Sequence, residues 1–186
     1  HLLGGLLTFS MLTWLAWQTT PNRQLVQGIA PKLRLLLWIG LALLVIQIAL
    51  GGWTSANYAA LACGSDFPTC QGQWQPAMDF AQAFTLHREL GFTGDGRLLS
   101  AEALTAIHWS HRLGALLVAF GVGALALTLI RAPGGHWRTW GMALLGLLAL
   151  QIGLGIANVL FALPLALAVA HNLGAAGLLS TTLALN

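Results

Sequence analysis

Hydrophobic positions in this chain come in long unbroken runs rather than in alternation. Five runs, at residues 1–18, 35–53, 103–130, 139–163 and 165–185, are almost free of charge. A helix needs roughly 20 apolar residues to bridge a hydrocarbon core, and each run approaches that length. Lipid offers no partner for a backbone N–H or C=O, so each run is expected as a transmembrane helix. The pattern therefore predicts an all-α membrane protein with five transmembrane helices. The first run is slightly short and opens on His1 rather than on Met, which leads us to expect a preceding segment.

Charge refines this picture. Only 7% of the 186 residues are charged and the mean hydropathy is +0.76, whereas soluble domains carry about 25% charged residues. The five acids (Asp66, Asp79, Glu89, Asp95, Glu102) all fall within 54–102, while Arg23, Lys32, Arg34, Arg131 and Arg138 fall in 19–34 and 131–138. Basic residues mark cytoplasmic links. The linker 19–34 is thus expected inside and the loop 54–102 outside, an alternation that all five spans satisfy. The net charge of +3 is this topology signal, and no basic patch for nucleic acid is visible. The bilayer is the partner that the composition demands.

The outer loop holds both cysteines, in CGSDFPTC (63–70). A Cys63–Cys70 disulfide suits an oxidising compartment. A zinc pair lacks further ligands at the usual spacing, and two free thiols are the plain alternative. Phe67, Pro68, Trp74, Pro76, Phe80 and Phe84 give this loop the composition of an ordered cap.

Two motifs recur in order. Gln-Ile-x-Leu-Gly stands at 47–51 and 151–155, and His-x-Leu-Gly-Ala at 111–115 and 171–175. Two hairpins of one ancestry predict a pseudo-twofold four-helix bundle over 35–185. Both histidine helices enter from the outside, with His111 eight residues into its run and His171 seven residues past Pro164. At 1.5 Å per residue the two imidazoles come to nearly one depth, where opposed rings can take both axial positions of a haem iron. Gly114 and Gly174, three residues on, share the histidine face and would leave room for a macrocycle; close helix packing is the simpler use of such glycines. Arg112 could meet a haem propionate or snorkel to headgroups. His108 lacks a counterpart and reads as interfacial, His87 and His136 as solvated loop residues, and Gln47 and Gln151 as hydrogen-bonding between helices. His1 heads a third copy, His1-Leu2-Leu3-Gly4-Gly5, and would serve a second haem with a partner outside these residues.

The runs QIALGGWTSANYAALACGSDFPTCQGQW (47–74), IHWSHRLGA (107–115) and AHNLGAAGLL (170–179) resemble the haem A synthase family along the whole chain. That resemblance implies eight helices in two pseudo-symmetric halves, of which this chain matches the fourth to the eighth. Residues 1–18 would belong to an amino-terminal bundle and 35–185 would form the haem-binding bundle. It further implies a haem b between His111 and His171, and Cys63 with Cys70 as the family's outer-loop pair. Haem O, converted to haem A, would lie near His1. The oxidation takes a methyl group of haem O to a formyl group. The second-helix histidine and glutamate tied to that reaction have no counterpart here, so the catalytic residues stay unassigned. The implied location is the bacterial inner membrane, with 54–102 periplasmic. A haem O synthase is a candidate partner, and a homo-oligomer stays open. A membrane b-type cytochrome moving electrons from a quinol would use the same histidines. A haem-free transporter or assembly factor is the third class.

Overall fold

The computed structural model describes residues 2–19 and 30–186. His1 and most of the linker 19–34, Arg23 included, lie outside the described residues. Helices cover all five apolar runs: α1 (Leu2–Gln18), α2 (Pro31–Ala56), α4 (Ala101–Arg131), α5 (Gly135–Leu160) and α6 (Leu165–Ala184), with a short α3 (Phe80–Ala83) inside the loop. Among the described residues, α2, α4, α5 and α6 are long and apolar enough to cross a bilayer. The protein is a multi-pass, all-helical membrane protein. Helix α1 is described over 17 residues.

Several helices reach beyond their apolar runs, for local reasons. Helix α2 begins at Pro31, whose fixed φ and missing N–H suit a first helical position, so Lys32 and Arg34 ride on its first turns. Helix α4 is capped by the Ser100 hydroxyl, which accepts from the Ala103 N–H at 3.1 Å. Glu102 and Arg131 lie at the ends of α4 where the helix dipole favours their charges. Helix α5 starts at Gly135, so His136 is helical and half-buried against the Trp137 ring, 4.6 Å between centroids, rather than a solvated loop residue. His87 is exposed in the loop, as its sequence context predicts.

Helix α2 packs on α4, α4 on α5, α5 on α6, and α6 returns to α2, while α1 lies against α6 and α2. The ring encloses a core of Leu37, Leu44, Val118, Val122, Leu125, Leu129, Leu144, Leu148 and Leu178. Helices α4 and α5 are in close backbone contact at Gly141. A methyl group there would stand 2.7 Å from the Ala126 carbonyl oxygen and 2.8 Å from the Ile130 backbone nitrogen. Backbone cannot retreat as a side chain can. Gly141→Ala should therefore lower stability by about 1–3 kcal/mol, the usual cost of overpacking. Thermal unfolding in detergent measures it, with Gly146→Ala as control because nothing lies within 4 Å of that position.

The loop 54–102 is an ordered cap, as its composition predicts. A second apolar cluster of Ala59, Ala83, Leu99, Ala103, Ala106 and Ile107, flanked by Trp53 and Phe84, joins it to α4. Buried Asn57 ends α2, and its Oδ1 accepts from Arg88 Nη1 at 2.8 Å and from the Gly91 N–H at 3.1 Å. Arg88 also donates to the Ala83 and Phe92 carbonyls and lies 5.4 Å from the Trp53 ring centre. Burial lowers the Arg88 pKa. Cys63 and Cys70 are joined in a disulfide, and neither is solvent-exposed.

Candidate functional site

Between the helix core and the cap lies a level where the polar residues of the helices meet. Gln47 and Gln151 each stand nine residues before the last residue of their helices, Ala56 and Leu160. That places both roughly 14 Å below the cap end at 1.5 Å per residue. His111 on α4 and His171 on α6 come to them across the helix interfaces. The Gln47 amide nitrogen donates to the His111 carbonyl oxygen at 3.0 Å and lies 3.0 Å from His111 Nδ1. In the second hairpin the Gln151 amide nitrogen lies 3.3 Å from His171 Nε2.

Glycine makes this meeting possible, and does so reciprocally. A side chain at Gly51 would meet the His111 ring, whose Cε1 is 3.1 Å from the position of a Cβ. Gly155 stands in the same relation to His171, also at 3.1 Å. In return, a Cβ at Gly114 or Gly174 would collide with Oε1 of Gln47 or Gln151. Each histidine rests on the glycine of the glutamine helix, and each glutamine on the glycine of the histidine helix. Spacings of four residues (Gln47 to Gly51) and three (His111 to Gly114) keep each pair on one helical face. Gly114 and Gly174, expected from the sequence to leave room for a macrocycle, face these carboxamides, and the missing side chain is what lets a long glutamine cross. Gly51 and Gly155, to which the sequence reading gave no role, could have been found from their fixed distance behind a repeated glutamine.

Both imidazoles are half-buried. His171 Nδ1 is buried without a hydrogen-bond partner, as are Oε1 of Gln47 and of Gln151. Among the described residues no three His, Cys, Asp or Glu side chains gather to hold a bare metal ion. A porphyrin supplies four donors itself and asks the protein for two.

Arg112 turns toward the cap. Its Nη1 donates to the Thr69 carbonyl and its Nη2 to the Asp66 carbonyl, both at 2.8 Å, and its Nε donates to His108 Nε2 at 3.1 Å. The guanidinium also lies 5.9 Å from the Phe67 ring centre. Three of its five donors are thus committed. His108 is buried, 4% exposed, and serves as a brace for Arg112. His1 lies outside the described residues.

Apolar helices, with a glutamine–histidine contact between α2 and α4 and another between α5 and α6, define a multi-pass membrane protein. The cytochrome oxidase assembly protein family (COX15-CtaA) matches residues 1–183. A haem A synthase of Shewanella oneidensis is 40% identical over 191 residues, covering 100% of this chain and 56% of that protein. Haem A synthases of Paracoccus denitrificans and Methylobacterium radiotolerans are 33% and 32% identical over 138 and 174 residues. These alignments cover 74% and 91% of this chain, and 33% and 44% of the two relatives. The chain belongs to the haem A synthase family, and it spans about half the length of the relatives it matches. No solved structure matches it.

Proposed function

We propose that this chain is the carboxy-terminal, haem-binding part of a haem A synthase, with the imidazoles of His111 and His171 as the axial ligands of one haem b. The observation that carries the reading is the duplicated contact set: glutamine, histidine and two glycines meet in both hairpins, each glutamine nine residues before the end of its helix, with His111 met at Nδ1 and His171 at Nε2. The residues fit the group. Two neutral imidazoles can each offer a lone pair, the unpartnered His171 Nδ1 shows that ring capacity is left over, and the surroundings are apolar. Five membrane spans, a pseudo-twofold bundle and a periplasmic cap belong to the same reading, supported by the charge distribution and the repeats. Arg112, with two donors uncommitted, adds positive charge near the haem level for a propionate. Gly114 and Gly174 contribute by admitting the glutamines. A six-coordinate haem, when bound, would pass single electrons and would not itself be the site of oxidation. By family likeness, haem O is the substrate, its methyl group becomes the formyl group of haem A, and His1 serves that second haem.

The test is haem identity. In membranes containing the full-length protein, a pyridine haemochrome spectrum with chromatography of the extracted haems should show haem B together with haem A or its hydroxylated intermediate when haem O is supplied. Haem B alone, with haem O unchanged, would instead favour a b-type electron-transfer cytochrome. A preparation without any haem would sink the reading.

A further inference from the structure

The glutamines raise a question that packing does not answer. A carboxamide buried in a membrane bundle is costly unless both of its ends find partners. Here Oε1 of Gln47 and of Gln151 has none, although leucine would fill the same space without that cost. The arrangement occurs twice, each time with a glycine cleared to let the amide through. What the two amides share is an imidazole: Nε2 of Gln47 at 3.0 Å from His111 Nδ1, and Nε2 of Gln151 at 3.3 Å from His171 Nε2.

An imidazole that gives one lone pair to a metal carries its proton on the other nitrogen, and that N–H needs an acceptor. As the amides stand, Gln47 offers N–H to the ring and to the His111 carbonyl. A half-turn of the carboxamide about its last bond exchanges its two ends. The unpartnered oxygen then faces the ring nitrogen and can accept from it, and at Gln47 the turn gives up the donation to the His111 carbonyl. Among the described residues no other side chain hydrogen-bonds either imidazole. Ring orientation is fixed at the same time, since Gly51 and Gly155 admit the Cε1 edge of each ring at 3.1 Å.

We propose that Gln47 and Gln151 are positioning residues for the axial histidines: each accepts the ring N–H of its imidazole, holds the opposite nitrogen's lone pair toward iron, and sets how strongly that lone pair is donated. The inference rests on the haem reading above and adds the pair of groups that tune it. The same hydrogen bond predicts a direction. A stronger acceptor makes the imidazole a better donor and favours ferric iron; loss of the acceptor favours ferrous iron.

The measurement is the midpoint potential and low-spin electron paramagnetic resonance spectrum of the haem in the full-length protein. Gln47→Glu and Gln151→Glu should lower the potential, and Gln47→Leu and Gln151→Leu should raise it. A roughly tenfold change in ferric preference corresponds to about 59 mV for one electron, and the g-values should move with it. A buried carboxylate lowers the potential by its charge alone, so the uncharged variants decide: a purely packing role would leave potential and g-values at wild-type values in Gln47→Leu and Gln151→Leu, and that result overturns the proposal. Should the leucine variants fail to accumulate, Gln47→Met and Gln151→Met, unbranched, uncharged and without the carboxamide acceptor, decide it by the same criterion. Failure of the haem reading is a separate outcome: a low-spin spectrum that survives His111→Ala and His171→Ala rejects the ligands themselves, whatever the glutamine variants do.

Discussion

If His111 and His171 hold a haem as proposed, replacing either by alanine is expected to abolish its low-spin absorbance, each substitution alone being sufficient. Six-coordination needs both axial donors, and the second hairpin cannot replace the first, because each imidazole is seated on its own glycine by its own glutamine. Loss of the ring leaves an apolar space of ring size beside Gly51 or Gly155. Added imidazole should enter that space and restore a low-spin spectrum, which separates ligand loss from misfolding. His87→Ala is the control, since His87 is exposed in the cap. His108→Ala should weaken the fold through Arg112 and leave the spectrum in place, because His108 Nε2 is occupied by the guanidinium. Retention of the spectrum in both His111→Ala and His171→Ala would remove the haem from this site.

How far the sequence could be read follows from what a membrane does to patterning. Apolar runs located the helices directly, since charge is excluded from them. Helix ends were less exact: Lys32 and Arg34 on α2, and His136 and Arg138 on α5, are polar yet helical, because a helix continues into the polar boundary wherever its backbone bonds still close. The repeats marked His111, His171 and their level. The rotation of each helix was not legible. In a soluble protein the apolar stripe faces inward, whereas here Leu113, Leu116, Leu117 and Phe120 are exposed and Val118 and Val122 are buried on the same apolar helix. Both faces read alike, so the meeting of Gln47 with His111 had to come from the packed structure. Arg112 was hidden for a different reason. Its partners are carbonyls of Asp66 and Thr69, more than forty residues away, and a carbonyl has no signature in sequence.

Arg112→Ala is expected to free the disulfide-bridged turn from α4. The guanidinium bonds two backbone oxygens of that turn at 2.8 Å, and its stem is braced by His108. Hydrogen bonds to a charged donor contribute about 1.5–3 kcal/mol each, so losing both should cost the turn roughly 3–6 kcal/mol. The disulfide closes the turn upon itself but does not attach it to the helix; besides Arg112, Gln71 ties it to α4, its amide donating to Thr105 Oγ1 at 3.1 Å. Cys70 and Gln73 exchange backbone hydrogen bonds at 2.9 and 3.0 Å, so their amides report opening. Their hydrogen exchange should accelerate on the order of 100-fold or more in Arg112→Ala, given tenfold per 1.4 kcal/mol. Arg112→Lys should fall between, because an ammonium keeps the charge but lacks the planar fork that reaches Asp66 and Thr69 together. Unchanged exchange at both amides in Arg112→Ala would show that the turn is held by its disulfide and Gln71 alone, and that the cap owes its seat above the histidines to other contacts.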